Sequence, residues 1–115
     1  MAVIAQTNAT DGGLAATLTR TILSASDTLT YTAGSKQVVV LFNTTAASVT
    51  ATIVGSAATT IAPAGFGGTI SVAGGKAIVV PASATVMVEL DDVQAFLQGN
   101  VSITGGVGLT AHLYV

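Results

Sequence analysis

Wherever a pattern can be read in this chain, apolar and hydroxyl side chains take alternate positions. In "LAATLTRTIL", residues 14 to 23, Leu14, Ala16, Leu18 and Ile22 fall on one side and Thr17, Thr19 and Thr21 on the other. A period of two puts successive side chains on opposite faces of a pleated strand; a helix would repeat its apolar stripe every three to four residues. Arg20 interrupts the apolar side, which marks this strand as an edge or a partner contact.

The same grammar continues. "TLTYT", 28 to 32, alternates. "ASVTATIV", 47 to 54, turns Val49, Ala51 and Ile53 inward and Ser48, Thr50 and Thr52 outward, and "TVMVEL", 85 to 90, groups Val86, Val88 and Leu90. "QVVVLFN", 37 to 43, does not alternate and reads as a central strand covered on both sides. Gly74 and Gly75 in "AGGK" suit a tight hairpin between "FGGTISV" and "AIVV", which Pro81 ends because proline cannot donate to a ladder. "NVSIT" and "LTAHLYV", joined by "GGVG", read as a closing hairpin. Short strands with turn signals this regular predict a single all-β domain, a sandwich or small barrel, over residues 14–115. Residues 1–13, with a small apolar patch and a Gly12-Gly13 hinge, read as an N-terminal arm that pairs at a sheet edge or reaches onto a neighbour.

Charge narrows the function. The chain carries three cations and five anions, 7% of its 115 residues, against about 25% in ordinary soluble domains. Its polar surface is therefore mainly Thr, Ser and Gln, and hydroxyls are far cheaper to desolvate than ions. That suits a protein covered by other protein. Arg20, Lys36 and Lys76 are too few and too scattered to neutralise a run of phosphates, so nucleic acid is not expected. The longest strictly apolar run, "VVVLF", is far short of the ~20 residues of a spanning helix. The first residues lack the basic and apolar regions of a secretory signal. No membrane partner or export is expected, and with no cysteine neither a disulfide nor a thiolate metal site exists.

One stretch breaks the pattern. "ELDDVQAFLQGN", 89 to 100, gathers Glu89, Asp91 and Asp92. Asp91 followed three residues later by Gln94 has capping-box spacing, Asp92 suits a first helical turn, and Val93, Phe96 and Leu97 share a face. Gly99 is a stop. One short helix near residues 92–98, capped by Asp91 and Gln94, is predicted. The carboxylates are adjacent rather than set across a cleft, and no calcium-loop spacing is present. His112, the only histidine, shares a strand side with Thr110 and Tyr114 and has no nucleophile or further ligands to serve. The glycine pairs lack the P-loop arrangement, and the Thr-x-Thr runs lack the repeat an ice-binding solenoid needs. No catalytic, cofactor or metal site is expected. Val3, Ile4, Arg20, Tyr31, Phe66, Met87, His112 and Tyr114 are the candidates for an interface.

The Ala/Thr/Val/Gly strands, the segment "LDDVQAFLQGNVSITGG" and the ending "GLTAHLYV" together resemble the small head-decoration, or cement, proteins of tailed bacteriophages. The resemblance covers most of residues 14 to 115 and rests on overall texture. It implies a single-domain antiparallel β-sandwich, jelly-roll-like, on the outer capsid surface that clamps neighbouring major capsid protein subunits, acting as a dimer or trimer, made in the host cytoplasm and located on the virion. It brings no catalytic residues. Two other readings compete: a carbohydrate- or receptor-binding β module using Tyr31, Tyr114, Phe66 and Met87, and a tail or surface-layer assembly subunit. In the decoration reading, residues 1 to 13 and an exposed edge strand make the contacts, and removing the arm leaves the fold intact.

Overall fold

The computed structural model describes residues 2–7, 19–62, 65 and 67–115. Alternation becomes two sheets packed face to face. One holds β3 (Ser26–Leu29), β10 (Val101–Thr104), β5 (Val49–Gly55) and β8 (Lys76–Val80), in that order. The other runs β11 (Leu109–Tyr114), β4 (Val38–Asn43) and β9 (Thr85–Glu89), with β2 (Thr21–Ile22) and β1 (Gln6–Thr7) both on the outer edge of β11. A small ribbon, β6 (Thr60–Ile61) and β7 (Ile70–Ser71), is inserted between β5 and β8. The order β2-β11-β4-β9 over β3-β10-β5-β8 is jelly-roll topology, in which most successive strands change sheet. The core is the interdigitated inner faces: Ala51, Ile53, Ile78, Val80, Val101 and Ile103 from one sheet, Val39, Leu41, Leu109, Ala111 and Leu113 from the other.

That topology overturns both hairpins read from the sequence. β10 pairs with β3 and β5, whereas β11 pairs with β4, so "GGVG" carries the chain from one sheet to the other. Gly108, at φ +95°, lies in the left-handed region that this corner requires. Likewise β7 and β8 do not pair; the 73–75 turn joins the ribbon to the sheet. Glycine turns permit a hairpin or a corner equally, and the distribution of buried strand faces between two layers selects the corner.

Other boundaries also move. Of the strand predicted over 14 to 23, residues 14 to 18 lie outside the described residues. Within the rest, Ile22 points out (74% exposed) and Leu23 is buried, the reverse of the expected parity. Strand β3 ends at Leu29, so Tyr31 follows it rather than belonging to it. Strand β4 is central in its sheet but covered on one face only: Val39, Leu41 and Asn43 are buried while Phe42 is exposed. Asn43, buried where the sequence suggests a strand end, joins the layers by donating from Nδ2 to the carbonyls of Ala47 (2.8 Å) and Val80 (2.9 Å). The inward sets of β5, β9 and β11 follow the predicted parity.

The short helix is a 3₁₀ segment, Leu90–Phe96, kinked at Val93, and starts earlier than 92. Its apolar side is as expected, with Leu97 buried and Val93 and Phe96 packed against the core. Its capping is not. Glu89 occupies the N-cap and makes no side-chain cap bond. Asp91 lies within the first turn, and its carboxylate turns away to another loop.

Residues 2–7 form part of the body. Val3 bridges to Thr28 beside the four-stranded sheet, Ile4 is 2% exposed within the core, and Gln6–Thr7 pair in parallel with Leu113–Tyr114 of the other sheet. The segment therefore closes one side of the sandwich by touching both layers. Buried Asp27 anchors it, accepting from Ala2 N (3.0 Å), Ser24 Oγ (2.9 Å) and Ser24 N (2.7 Å). Ile4 is thus a core residue rather than an interface residue, because its side chain is buried in the apolar core cluster. The Gly12-Gly13 hinge lies outside the described residues.

Candidate functional site

The two outer faces of the sandwich differ in chemistry. On the four-stranded sheet, outward positions are largely hydroxyl: Ser26 and Thr28 of β3, Ser102 and Thr104 of β10, Thr50 and Thr52 of β5, with Val54 and Val79 toward one edge. On the other sheet, the outward positions form three cross-strand rows. The first is Thr110, Phe42 and Thr85; the second, His112, Val40 and Met87; the third, Tyr114, Val38 and Glu89. Ile22 extends the first row, opposite Thr110 on β2. Only Glu89 in these rows carries a carboxylate, and it stands at a corner.

Side chains on this face are large and accessible. Met87 is 65% exposed and Phe42 39%, and Tyr114 Oη lies 3.8 Å from Met87 Sδ. Within it opens a shallow depression of about 530 Å³, lined by Arg20, Val40, Phe42, Thr85, Thr110 and His112. Phe, Tyr, Met and Arg are the residues enriched in the buried centres of protein interfaces, where Lys, Glu and Asp are depleted. Rigid aromatic side chains offer contact area at low conformational cost, flexible Met adapts its shape to a partner, and a guanidinium adds directional hydrogen bonds.

The structure gathers four of the eight interface candidates here: Arg20, Met87, His112 and Tyr114. The others lie elsewhere. Val3 is exposed beside β3, on the edge of the hydroxyl-rich sheet, and Ile4 is in the core. Tyr31 packs its ring against the core and commits its hydroxyl to Asp91 at 2.7 Å, so it is not the exposed ring the sequence suggested. Phe66 lies outside the described residues. Sequence reasoning missed Phe42 and Val40, because "VVVLF" carries no alternation from which an outward side could be read; it placed Thr110 on the side of His112 and Tyr114 without naming it as a contact.

Asp91 and Gln94, read as a helix cap, serve a different purpose. Asp91 Oδ1 accepts from Tyr31 Oη and from Gly34 N (3.0 Å), and Oδ2 accepts from Lys36 N (3.1 Å). Gln94 Oε1 is a second, longer acceptor for Tyr31 Oη at 3.4 Å. A short 3₁₀ turn presents its carboxylate sideways, and the 31–36 loop supplies the donors. The Tyr31 hydrogen bond, chiefly, holds the Asp91 carboxyl below its ordinary value; the Gly34 N–H, and then the Lys36 N–H and charge, act the same way against partial burial.

Among the described residues no three His, Asp or Glu side chains gather in a way that could hold a metal ion, and no helix is long and apolar enough to cross a membrane. No family model, curated protein or solved structure matches the chain.

Proposed function

We propose that this protein is a structural subunit that docks onto an assembled protein lattice through the outer face of the β2-β11-β4-β9 sheet, as a capsid decoration protein of a tailed bacteriophage. The observation that supports this most is the asymmetry between the two outer faces. One is lined with hydroxyls that water solvates well. The other presents Phe42, Met87, Tyr114 and Ile22 around a depression. A chain with so few ions pays little desolvation when that second face is covered.

The mechanism is linkage. A subunit that binds the assembled lattice better than free capsid protein stabilises the lattice by that difference in affinity. Self-association into a dimer or trimer would multiply modest contacts through avidity, provided that the copies engage together. The N-terminal residues 2–7 contribute to the fold in this reading, so the docking contacts come from the sheet face rather than from a detachable arm.

The test is co-sedimentation of the purified protein with undecorated capsids assembled from the major capsid protein of the same virus, with light scattering for self-association. Wild-type protein should pellet with capsids, and Met87→Lys, exposed in the middle row on the edge strand β9, should weaken this by about tenfold or more. Undiminished pelleting of Met87→Lys, or no pelleting of wild type at any concentration, would overturn the reading.

A further inference from the structure

The depression on this face has an unusual inventory. Its lining combines Arg20, Thr85, Thr110 and His112, which carry a guanidinium, two hydroxyls and an imidazole, with apolar Val40 and Phe42. Among the described residues no carboxylate and no side-chain amide lines it. Thr110 stands between Ile22 and Phe42 in the sheet, is only 7% exposed, and its Oγ1 is the buried side-chain polar atom without a hydrogen-bond partner among the described residues. Native structures satisfy nearly all such atoms, because an unpaired buried hydroxyl forfeits the hydrogen bonds that water gave it. An unpaired hydroxyl on a residue that lines a depression with Arg20 marks an arrangement that a bound group would complete, with the Thr110 side chain turning to meet it.

Donors without strong acceptors select an acceptor-only ligand. A carboxylate fits a single guanidinium bidentately, with the second lone pair of each oxygen left for a hydroxyl or ring N–H. A phosphate dianion would call for more than one cation, whereas the floor here is Val40 and Phe42. We propose that this depression receives a carboxylate borne on a short apolar stem, supplied by an acidic side chain of the protein on which the face docks. The inference rests on the docking reading for its source, but the pocket's chemistry is testable without any capsid.

The probe is 3-methylbutanoate, titrated into isotopically labelled full-length protein and followed by nuclear magnetic resonance, alongside its neutral amide and inorganic phosphate. The carboxylate should shift Arg20, Thr110 and His112 resonances saturably. The amide, and the carboxylate with Arg20→Gln, should bind about tenfold more weakly or worse. Thr110→Val keeps the shape and removes the hydroxyl; it should weaken carboxylate binding while leaving the melting temperature unchanged or higher. No saturable shift, an amide that binds as well, or saturation by phosphate alone would overturn the pocket, as would a clear loss of thermal stability in Thr110→Val. Capsid co-sedimentation separates the two readings. If Met87→Lys loses binding and Arg20→Gln does not, the pocket's role fails and the face remains; if the probe binds as stated and wild type never pellets, the pocket stands and the decoration role fails.

Discussion

Tyr31 donates a 2.7 Å hydrogen bond from its hydroxyl to Oδ1 of Asp91, across sixty residues of sequence. The same carboxylate accepts from Gly34 N and Lys36 N, and both residues sit at positive φ, +78° and +57°. A lysine in the left-handed region is strained, and such a conformation persists where its surroundings over-determine it. Asp91 supplies that constraint, and the 31–36 loop is built around it.

Titration should report the latch at both ends of the pH scale. Burial, then the Asp91 hydrogen bond and charge, push the Tyr31 hydroxyl up from 10 to about 12. The folded protein thus favours the neutral phenol, and this contribution to stability is complete below 10 and lost as pH rises towards about 12. Asp91, held below the ordinary carboxylate value, contributes above that value and loses its contribution as pH falls towards its lowered one. Ultraviolet titration of tyrosinate should show one late-ionising group, moved back towards 10 by Asp91→Asn and removed by Tyr31→Phe. In acid, the amide resonances of Gly34 and Lys36 should move together with Asp91 protonation.

Neighbouring residues of the N-terminal segment should differ sharply. Ile4 is 2% exposed in the core and Val3 is 71% exposed. Ile4→Ala should cost about 2–4 kcal/mol, a transfer term plus a cavity. Val3→Ala should stay within about 0.5 kcal/mol. Urea denaturation with an unchanged slope measures both, and equal effects would show that the segment does not pack as described.

Asp27→Ala should cost about 2–3 kcal/mol, because it leaves the N–H groups of Ala2 and Ser24 without their acceptor, while the Ser24 hydroxyl keeps the Ser26 carbonyl. Faster hydrogen exchange at Ile4 and Thr28, which the segment's ladder protects, should accompany the loss.

Two glycines provide a paired control. A Cβ on Gly55 would come 2.0 Å from the carbonyl oxygen of Gln98, where the chain after the 3₁₀ segment crosses the end of β5. Gly55→Ala should lower stability by about 3 kcal/mol or more, or prevent folding, since backbone must move. At Gly74 nothing lies within 4 Å, and its φ is not positive. Gly74→Ala should be neutral or stabilising by about 0.5 kcal/mol, through the unfolded chain's lost entropy. Thermal melts of the two variants make the comparison.

Alternation alone specified an all-β domain and the inward sets Val49, Ala51 and Ile53, Val86 and Val88, and Leu109, Ala111 and Leu113, because the direction of a strand side chain is a local property repeated every two residues. Proline chemistry placed one strand end, that of β8 before Pro81. What these local signals left open was everything set by partners distant in sequence: that "GGVG" turns a corner between layers, that "VVVLF" exposes Phe42, that Asp91 grips Tyr31 instead of capping its own helix, and that Arg20, Met87, His112 and Tyr114 share one face. Pairing and covering are settled by which apolar faces bury each other when the sandwich closes, and a strand's own residues carry its parity but not the identity of its neighbours.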